Sequence, residues 1–311
     1  MSEVVFSMHG LYFAYDGEMV LQGVDLAVHA GEIVGLVGAD GAGKTTLLRI
    51  AVGQLAADRG DIHVLGRDPS DPALRDEIAY MPQGFGLYQD LSVAENLLFF
   101  ADLHGLSAGG ASRVIADLLA RTGLAGFETR RAGQLSGGMM QKLALSCALV
   151  SAPRVMFLDE PTTGVDPVSR RAFWQLLNGV RSEGVGILYA TANMDEAERC
   201  DRVALLQDGR LNRQGTPLAL ADPGGMQLLR VAGRTVRGLR GAMRALPGVR
   251  LVFAVGPRLH VWLEDGASLP VFREAAESLG EMAVEPGRPS LHDTALRDLA
   301  LQEEAHERPA T

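Results

Sequence analysis

The sequence predicts an α/β chain: a largely parallel sheet carrying a phosphate loop, interrupted by a helical insert and followed by a small α+β unit. Three observations carry this. The apolar run Ile33-Val34-Gly35-Leu36-Val37 reads as a buried parallel strand, and Leu47, Leu48, Ile50, Ala51 and Val52 suit the packed face of a helix. Between them lies Gly-Ala-Asp-Gly-Ala-Gly-Lys-Thr-Thr, residues 38–46, a G-x-x-x-x-G-K-[ST] pattern in its strand–turn–helix setting. A second apolar strand, Val155-Met156-Phe157-Leu158, ends in two acids, Asp159 and Glu160. The texture turns helical over residues 84–134, and composition shifts again at the turn-rich Asp222-Pro223-Gly224-Gly225.

The loop has a specific chemistry. Glycines let successive backbone N–H groups converge on one oxyanion, and the helix N-terminus adds its positive dipole end. Lys44 is placed to reach the β and γ phosphates, and Thr45 to hold Mg²⁺ through its hydroxyl. Gly38, Asp40, Gly41, Ala42, Gly43, Lys44, Thr45 and Thr46 are the candidate nucleotide contacts. Of the 29 basic residues, Lys44 and Lys142 are the only lysines. The rest are arginine, so Lys44 stands where a compact ammonium suits better than a planar fork.

At 311 residues the chain has room for a large domain and a small one. It is 47% apolar and 22% charged, with formal net charge -9 and pI about 5.3. That balance argues against a nucleic-acid-coating surface. No run approaches the roughly 18 apolar residues of a membrane span, and Met1-Ser2-Glu3-Val4 lacks a signal pattern. The expectation is a cytosolic protein able to dock on a membrane protein. Cys147 and Cys200 read as buried free thiols.

Taken in order, residues 4–15 alternate like an antiparallel strand pair, and Tyr15 stands just before an Asp16-Gly17 turn. Tyr15 is either a base-stacking aromatic or a partly buried strand residue. Val20 to Val28 is a further strand, then residues 33–37, then the loop and its helix. Residues 60–66 read as strand and turn; Ile78 to Gln83 is a short strand ending in a polar residue. Within the insert, Val93–Leu103 and Ser112–Arg121 have helical spacing, with Gly109-Gly110 as a connection. Ser136-Gly137-Gly138 open a helix running through Leu149, which is an ordinary cap or an anion site. Acids after a buried strand lie at the ligand end of a parallel sheet. One can hold Mg²⁺ through its water shell, and the next can orient or deprotonate water. A helix Val168–Val180, a strand Gly186–Thr191, an acidic helix Asp195–Cys200 and a hairpin through Asp208-Gly209 complete the large unit.

Beyond residue 225 the pattern is strand 227–232, helix 235–246, strands 249–254 and 258–263, helix 268–279, strand 281–285 and helix 290–304. The first six suggest a ferredoxin-like βαββαβ unit, structural or dimerising rather than catalytic. The expected domains are residues 1–222, with an insert of about 84–150, and residues 226–311.

Together these pieces resemble, over residues 4 to about 220, the ATP-binding subunits of ABC transporters, a branch of the P-loop NTPase fold with an antiparallel β subdomain and a helical insert. The resemblance implies roles residue by residue. Residues 38–46 match the Walker A loop, and Tyr15 the adenine-stacking aromatic. Gln83 matches the glutamine that senses Mg²⁺ and the transport domain. Leu135–Gln141 match the signature sequence, Asp159 the Walker B acid, Glu160 the catalytic glutamate, and Asp166 the D-loop. Thr45, Gln83 and Asp159 are then the implied Mg²⁺ set. Thr163-Gly164-Val165-Asp166-Pro167 and Pro289-Ser290-Leu291-His292-Asp293 look most like the drug-exporter, ABC-2 branch. The family works as a sandwich dimer, with ATP between the Walker A loop of one subunit and the signature helix of the other. The resemblance therefore implies ATP and Mg²⁺, an ABC-2 permease partner, and a second nucleotide-binding subunit, identical or different. It also implies a peripheral place on the cytoplasmic face of the membrane. A soluble cassette protein acting on ribosomes or DNA is a poorer match, because the chain has one cassette, no long coiled-coil insert and acidic charge.

One departure stands out. Thr191-Ala192-Asn193-Met194-Asp195-Glu196-Ala197 fixes the register in which the family carries a switch histidine, and that position is Ala192. No histidine occurs between His104 and His260. An alanine cannot contact the γ phosphate, and loss of one such contact costs roughly 10²–10³ in rate. Two readings stay open: drift tolerated by an active ATPase, or a degenerate site that binds ATP and turns it over slowly. Paired with a different subunit, such a chain would supply an intact Ser136-Gly137-Gly138 to the other site. A non-hydrolysing, ATP-dependent regulatory scaffold is the alternative function.

Overall fold

The computed structural model describes residues 2–84, 86–234 and 236–307. The chain divides into two compact units between Gln214 and Gly215.

In the first unit, β1 (Val4–Tyr15) and β2 (Glu18–His29) form a hairpin, with Asp16 and Gly17 both at positive φ in its turn. The alternation that suggested two strands within residues 4–15 belongs to one long strand. Its register shifts between Met8 and Leu11, which breaks the period of two. β3 (Ile33–Val37) is buried along its whole length and leads through the glycine loop into α1 (Lys44–Ala51). β4 (Arg59–Val64) and β5 (Ile78–Met81) follow.

The insert then supplies α2 (Val93–Leu103), α3 (Ala108–Thr122) and the start of α4 (Gly137–Leu149). Ser92 and Glu95 cap α2 reciprocally, each side chain accepting from the other's backbone N–H at 3.2 and 2.7 Å. Gly109 and Gly110, expected as a connection, instead lie in the first turn of α3. The Ser107 hydroxyl accepts from the Gly110 N–H at 3.3 Å and so moves the helix start forward. Leu97, Ala101, Leu118, Leu119 and Leu143 form the shared core of these helices.

β6 (Val155–Asp159), α5 (Pro167–Ser182), β7 (Gly186–Thr191), α6 (Met194–Ala197), β8 (Arg202–Gln207) and β9 (Arg210–Gly215) complete the series. β2, β1 and β4 make an antiparallel sheet, in that order. The larger sheet runs β5-β6-β7-β3-β8-β9, its first five strands parallel. β3 sits between β7 and β8. The glycine loop therefore leaves the carboxyl edge where β6 and β7 also end, the edge at which open parallel sheets bind ligands. The two sheets meet at Phe6 and Phe157, packed edge to face at 5.2 Å and both fully buried. No helix among the described residues is long and apolar enough to cross a membrane.

The second unit contains α7 (Pro217–Leu220), β10 (Gln227–Ala232), α8 (Arg240–Arg244), β11 (Val249–Val255), β12 (Arg258–Leu263), α9 (Leu269–Glu277), β13 (Ala283–Gly287) and α10 (Leu291–Glu307). Its sheet is antiparallel, ordered β11-β12-β10-β13. The continuous helix expected over 235–246 is not formed. Thr235 lies outside the described residues, and the remainder is a 3₁₀ turn, Val236–Leu239, followed by the short α8. Gly238 and Gly241 each weaken a continuous helix by about 1 kcal/mol relative to alanine. Asp293 accepts from the Ser290 N–H at 2.9 Å at the start of α10 and pairs with buried His260 on β12.

Phe157→Ala is expected to destabilise the first unit by about 3–5 kcal/mol, because it removes a fully buried ring and the contact between its two sheets. Urea unfolding followed by circular dichroism checks this; a change below about 1 kcal/mol would show that the two sheets do not depend on it.

Candidate nucleotide site

The glycine loop is wedged between two neighbours. A Cβ on Gly38 would collide with the Leu206 carbonyl oxygen of β8, and one on Gly43 would come within 2.9 Å of Leu21 Cδ2 and 3.2 Å of the Val20 carbonyl of β2. Gly43 also has φ 104°, outside the range open to other residues, and directly precedes α1. Gly41 has φ 81° and open space beside it, so its backbone is free to face a ligand. Ala42 and Thr46 are buried, and Asp40 points outward with its side chain 94% exposed.

Lys44 opens α1 but is 5% exposed. Its ammonium donates to the Gly38 and Ala39 carbonyls at 2.9 and 3.0 Å and pairs with Glu160 Oε1 at 3.2 Å. A buried ammonium needs such partners, and an incoming phosphate can substitute for them. Glu160 follows β6 with φ 47°, in the left-handed region, where its N–H donates to the Ala190 carbonyl of β7 at 2.9 Å. Thr163 Oγ1 donates to Glu160 Oε2 at 3.2 Å. The two loops that leave β3 and β6 thus converge, as expected for two acids ending a strand beside a phosphate loop.

Asp159 decides whether a cation fits. It is 1% exposed, and neither carboxylate oxygen has a hydrogen-bond partner among the described residues. Such groups are rare in folded proteins and point to an unfilled role. Burial pushes the Asp159 carboxyl above the usual carboxylate range and the charge of Glu160 adds to this, while the Thr45 hydroxyl, Lys44 and Arg49 pull it back. A hard divalent cation takes oxygen ligands. The Thr45 hydroxyl and the Asp159 carboxylate are such a set.

Other candidates lie elsewhere. Tyr15 ends β1, 41% exposed, its ring edge-on to Phe13 at 4.8 Å. It pairs with Glu18, two residues before Val20, whose carbonyl abuts Gly43. Gln83 is exposed in the turn after β5 and makes no hydrogen bond to Thr45 or Asp159 among the described residues. Ser136 caps α4, its hydroxyl accepting from the Met139 N–H at 3.3 Å, and no hydrogen bond joins Ser136, Gly137 or Gly138 to the glycine loop among the described residues. Gly138 packs directly on Ser169 of α5, so no side chain fits there. Asp166 caps α5, accepting from the Val168 and Ser169 N–H groups at 3.0 Å; the Ser169 hydroxyl, and after it these N–H bonds, hold its carboxyl below the usual range. Ala192 is exposed in the bend after β7.

Two contacts escape sequence reasoning. Buried Gln141, on α4, donates to the Pro161 carbonyl at 2.7 Å, tying the helix that starts at Ser136 to the turn after Glu160. Glu196 is buried among the hydroxyls of Thr162, Tyr189 and Thr191. The adjacent threonines at 162 and 163 were the one visible signal.

A parallel sheet with a glycine loop around a buried lysine, and two acids ending the neighbouring strand, defines a phosphate-loop nucleotide-binding protein. Comparison places it further. The family model described as ABC transporter matches residues 21–163. The chain is 35% identical over 301 residues to the Nod factor export ATP-binding protein I of Rhizobium sp. (strain N33), covering 96% of this chain and 97% of that protein. It is 47% identical over 226 residues to the probable multidrug ABC transporter ATP-binding protein YbhF of Escherichia coli (strain K12), covering 71% of this chain. The match spans 39% of YbhF's length. Among solved structures, an ATP-binding subunit of an ABC transporter superposes with TM-score 0.63 and 32% identity, over 70% of this chain and 91% of that one. cbiO1 from Clostridium perfringens, part of the cbiONQ complex, gives TM-score 0.65 and 29% identity, over 70% and 90%. The chain belongs to the ATP-binding subunits of ABC transporters.

Ionised Asp159 is a cost to the nucleotide-free fold. With its pKa raised on folding, its contribution is favourable at acid pH and is lost as pH rises through that raised value. Asp159→Asn is therefore expected to raise the melting temperature at neutral pH, with the gain shrinking as pH falls toward about 4. It should also abolish any stabilisation by Mg²⁺ with nucleotide. Scanning calorimetry with and without Mg²⁺ checks both.

Proposed function

We propose that this chain binds and hydrolyses ATP to drive an ABC-2 type export permease, working as one half of a nucleotide-sandwiching dimer on the cytoplasmic face of the membrane. The observation that carries the reading is the pairing of Lys44 with Glu160 beside the unpartnered Asp159. Lys44 exchanges the Gly38 and Ala39 carbonyls and Glu160 for the β and γ phosphates. Backbone N–H groups of the loop from Gly38 to Thr46 hold the phosphate oxygens, and Tyr15 stacks on the base. Asp159 and Thr45, with Gln83 joining from its turn, would hold Mg²⁺, which would supply positive charge beside the phosphates. Released from Lys44, Glu160 accepts a proton from the water that attacks the γ phosphorus as the β–γ bridging bond breaks. Ser136-Gly137-Gly138 completes the site of the opposite subunit, where an uncovered helix start meets a phosphate.

The second unit is a ferredoxin-like accessory or dimerisation domain, a reading supported by its four antiparallel strands in the order β11-β12-β10-β13. The proposed large domain is residues 1–222, with the insert at about 84–150, and the small one is residues 226–311. Ala192 favours a second reading of the same site. Its methyl group in the bend after β7 offers nothing to a γ phosphate, so the chain's own site is degenerate and the partner is a different ATP-binding subunit. In the limit the chain is an ATP-dependent scaffold that does not hydrolyse.

Steady-state ATPase assays with the purified chain, alone and with its co-purified partner, separate these. Glu160→Gln is expected to abolish the chain's own turnover while ATP binding persists. Ala192→His is expected to raise turnover by roughly 10²-fold if the missing contact limits the rate. No single-turnover hydrolysis by the wild type would leave the scaffold; unchanged turnover in Ala192→His would refute the degenerate site.

A further inference from the structure

The buried carboxylate of Glu196 is not among the residues proposed to hold phosphate or cation, yet it is bonded to the loops that carry them. It is 3% exposed on the short α6. Three hydroxyls donate to it: Thr162 to Oε1, Tyr189 to Oε2 at 3.1 Å, and Thr191 to Oε2 at 2.7 Å. Arg170 Nε lies 3.5 Å from Oε1 and compensates its charge. These partners come from different places. Thr162 is two residues past Glu160. Thr191 immediately precedes Ala192. Arg170, on α5, also donates to the Val165 carbonyl at 3.2 Å, just before Asp166.

Each hydroxyl has one proton, so donating it fixes the remaining geometry. The Thr191 hydroxyl, with its proton committed to Glu196, accepts the Asn193 N–H at 3.0 Å. Asn193 in turn accepts from the Asp195 N–H at 2.9 Å, and the Thr191 carbonyl accepts from the Gly38 N–H at 3.3 Å. The backbone is therefore pinned on both sides of Ala192. Glu160 is pinned likewise, by its own N–H to Ala190 and by the Thr162 hydroxyl two residues on. A single buried charge thus secures both loops that flank the phosphate end of the site.

We infer that Glu196 is a positioning residue. It acts through Thr162 and Thr191 to hold Glu160 and position 192 in register with each other, and so sets the rate of hydrolysis rather than the affinity for ATP. This rests on the proposed hydrolysis, so the test includes a readout that needs no turnover. The Tyr189 ring packs on Trp174 at 4.8 Å, which makes Trp174 a reporter of the network. The chain's other tryptophan is Trp262, whose indole N–H has no hydrogen-bond partner among the described residues, so Trp262→Phe removes no hydrogen bond seen there and isolates Trp174.

In that background, Glu196→Gln replaces an acceptor with an amide that must turn one hydroxyl away. Its kcat is expected to fall about 10- to 100-fold with KM for ATP little changed. Thr191→Val should do the same, and Thr191→Ser, which keeps the hydroxyl, should retain the wild-type rate. ATP with Mg²⁺ should shift Trp174 emission in the parent and not in Glu196→Gln, at equal occupancy by a fluorescent ATP analogue. If Glu196→Gln fails to fold, the Thr191→Val and Thr191→Ser pair decides. If the parent shows no turnover, the hydrolysis proposal fails and the Trp174 response still decides. An unchanged kcat in Thr191→Val, equal loss in Val and Ser variants, or a Trp174 response that survives Glu196→Gln or is missing from the parent would overturn the inference.

Discussion

The rest of the site depends on a buried ammonium that must be surrounded by oxygen. Lys44 begins a helix, where lysine would ordinarily reach into water, but the antiparallel sheet and β8 close over the loop and leave it 5% exposed. A charge so placed is tolerable when it is fully partnered. Two loop carbonyls and Glu160 supply most of this, with exposed Asp40 at 4.0 Å beyond them. The need explains why the loop curls around its own lysine, and why glycine stands at positions 38 and 43, where a Cβ would strike β8 or β2. It also links the ends of β3 and β6 electrostatically. Anything that draws Lys44 away from Glu160 changes the position of the acid that follows β6.

The polar contacts behind that loop are of a different kind. Asp159, 1% exposed, has no hydrogen-bond partner among the described residues, whereas Glu196, also buried, has three hydroxyl donors and a guanidinium. One carboxylate is the proposed holder of an ion that comes and goes. The other is satisfied by the protein's own groups. A site that must change occupants during a cycle needs both, since a labile shell holds its geometry only against a fixed one.

The parallel strands and the loop were legible because their signals are local. A five-residue apolar run, a glycine pattern and a pair of acids each lie within one short stretch of chain. Partners were not legible. Nothing in the spacing says that Gln141 reaches Pro161, that Lys44 meets Glu160, or that Glu196 folds inward instead of extending from an acidic helix. Those outcomes follow from which helix packs on which strand. Glycine misled in both directions. Gly109 and Gly110, read as a connection, were absorbed into α3 by the Ser107 cap, while the helix expected over 235–246, which contains Gly238 and Gly241, is divided into a 3₁₀ turn and a short helix. Gln83 shows the remaining limit: it lies exposed in the turn after β5, where no hydrogen bond among the described residues ties it to Thr45 or Asp159.

The near-absence of lysine has a chemical consequence. Lys44 is enclosed, and Lys142, half-buried on α4 close to Ser136, is the other side chain of its kind. Reagents and modifying enzymes that target primary amines therefore find one partly accessible side chain on this protein. It stands on the helix proposed to face the partner's nucleotide. Among side chains, acetyl groups and amine-coupled dyes or crosslinkers would therefore mark that helix, the α-amino group being the other reactive amine, while the surface cations, being guanidinium, keep their charge throughout.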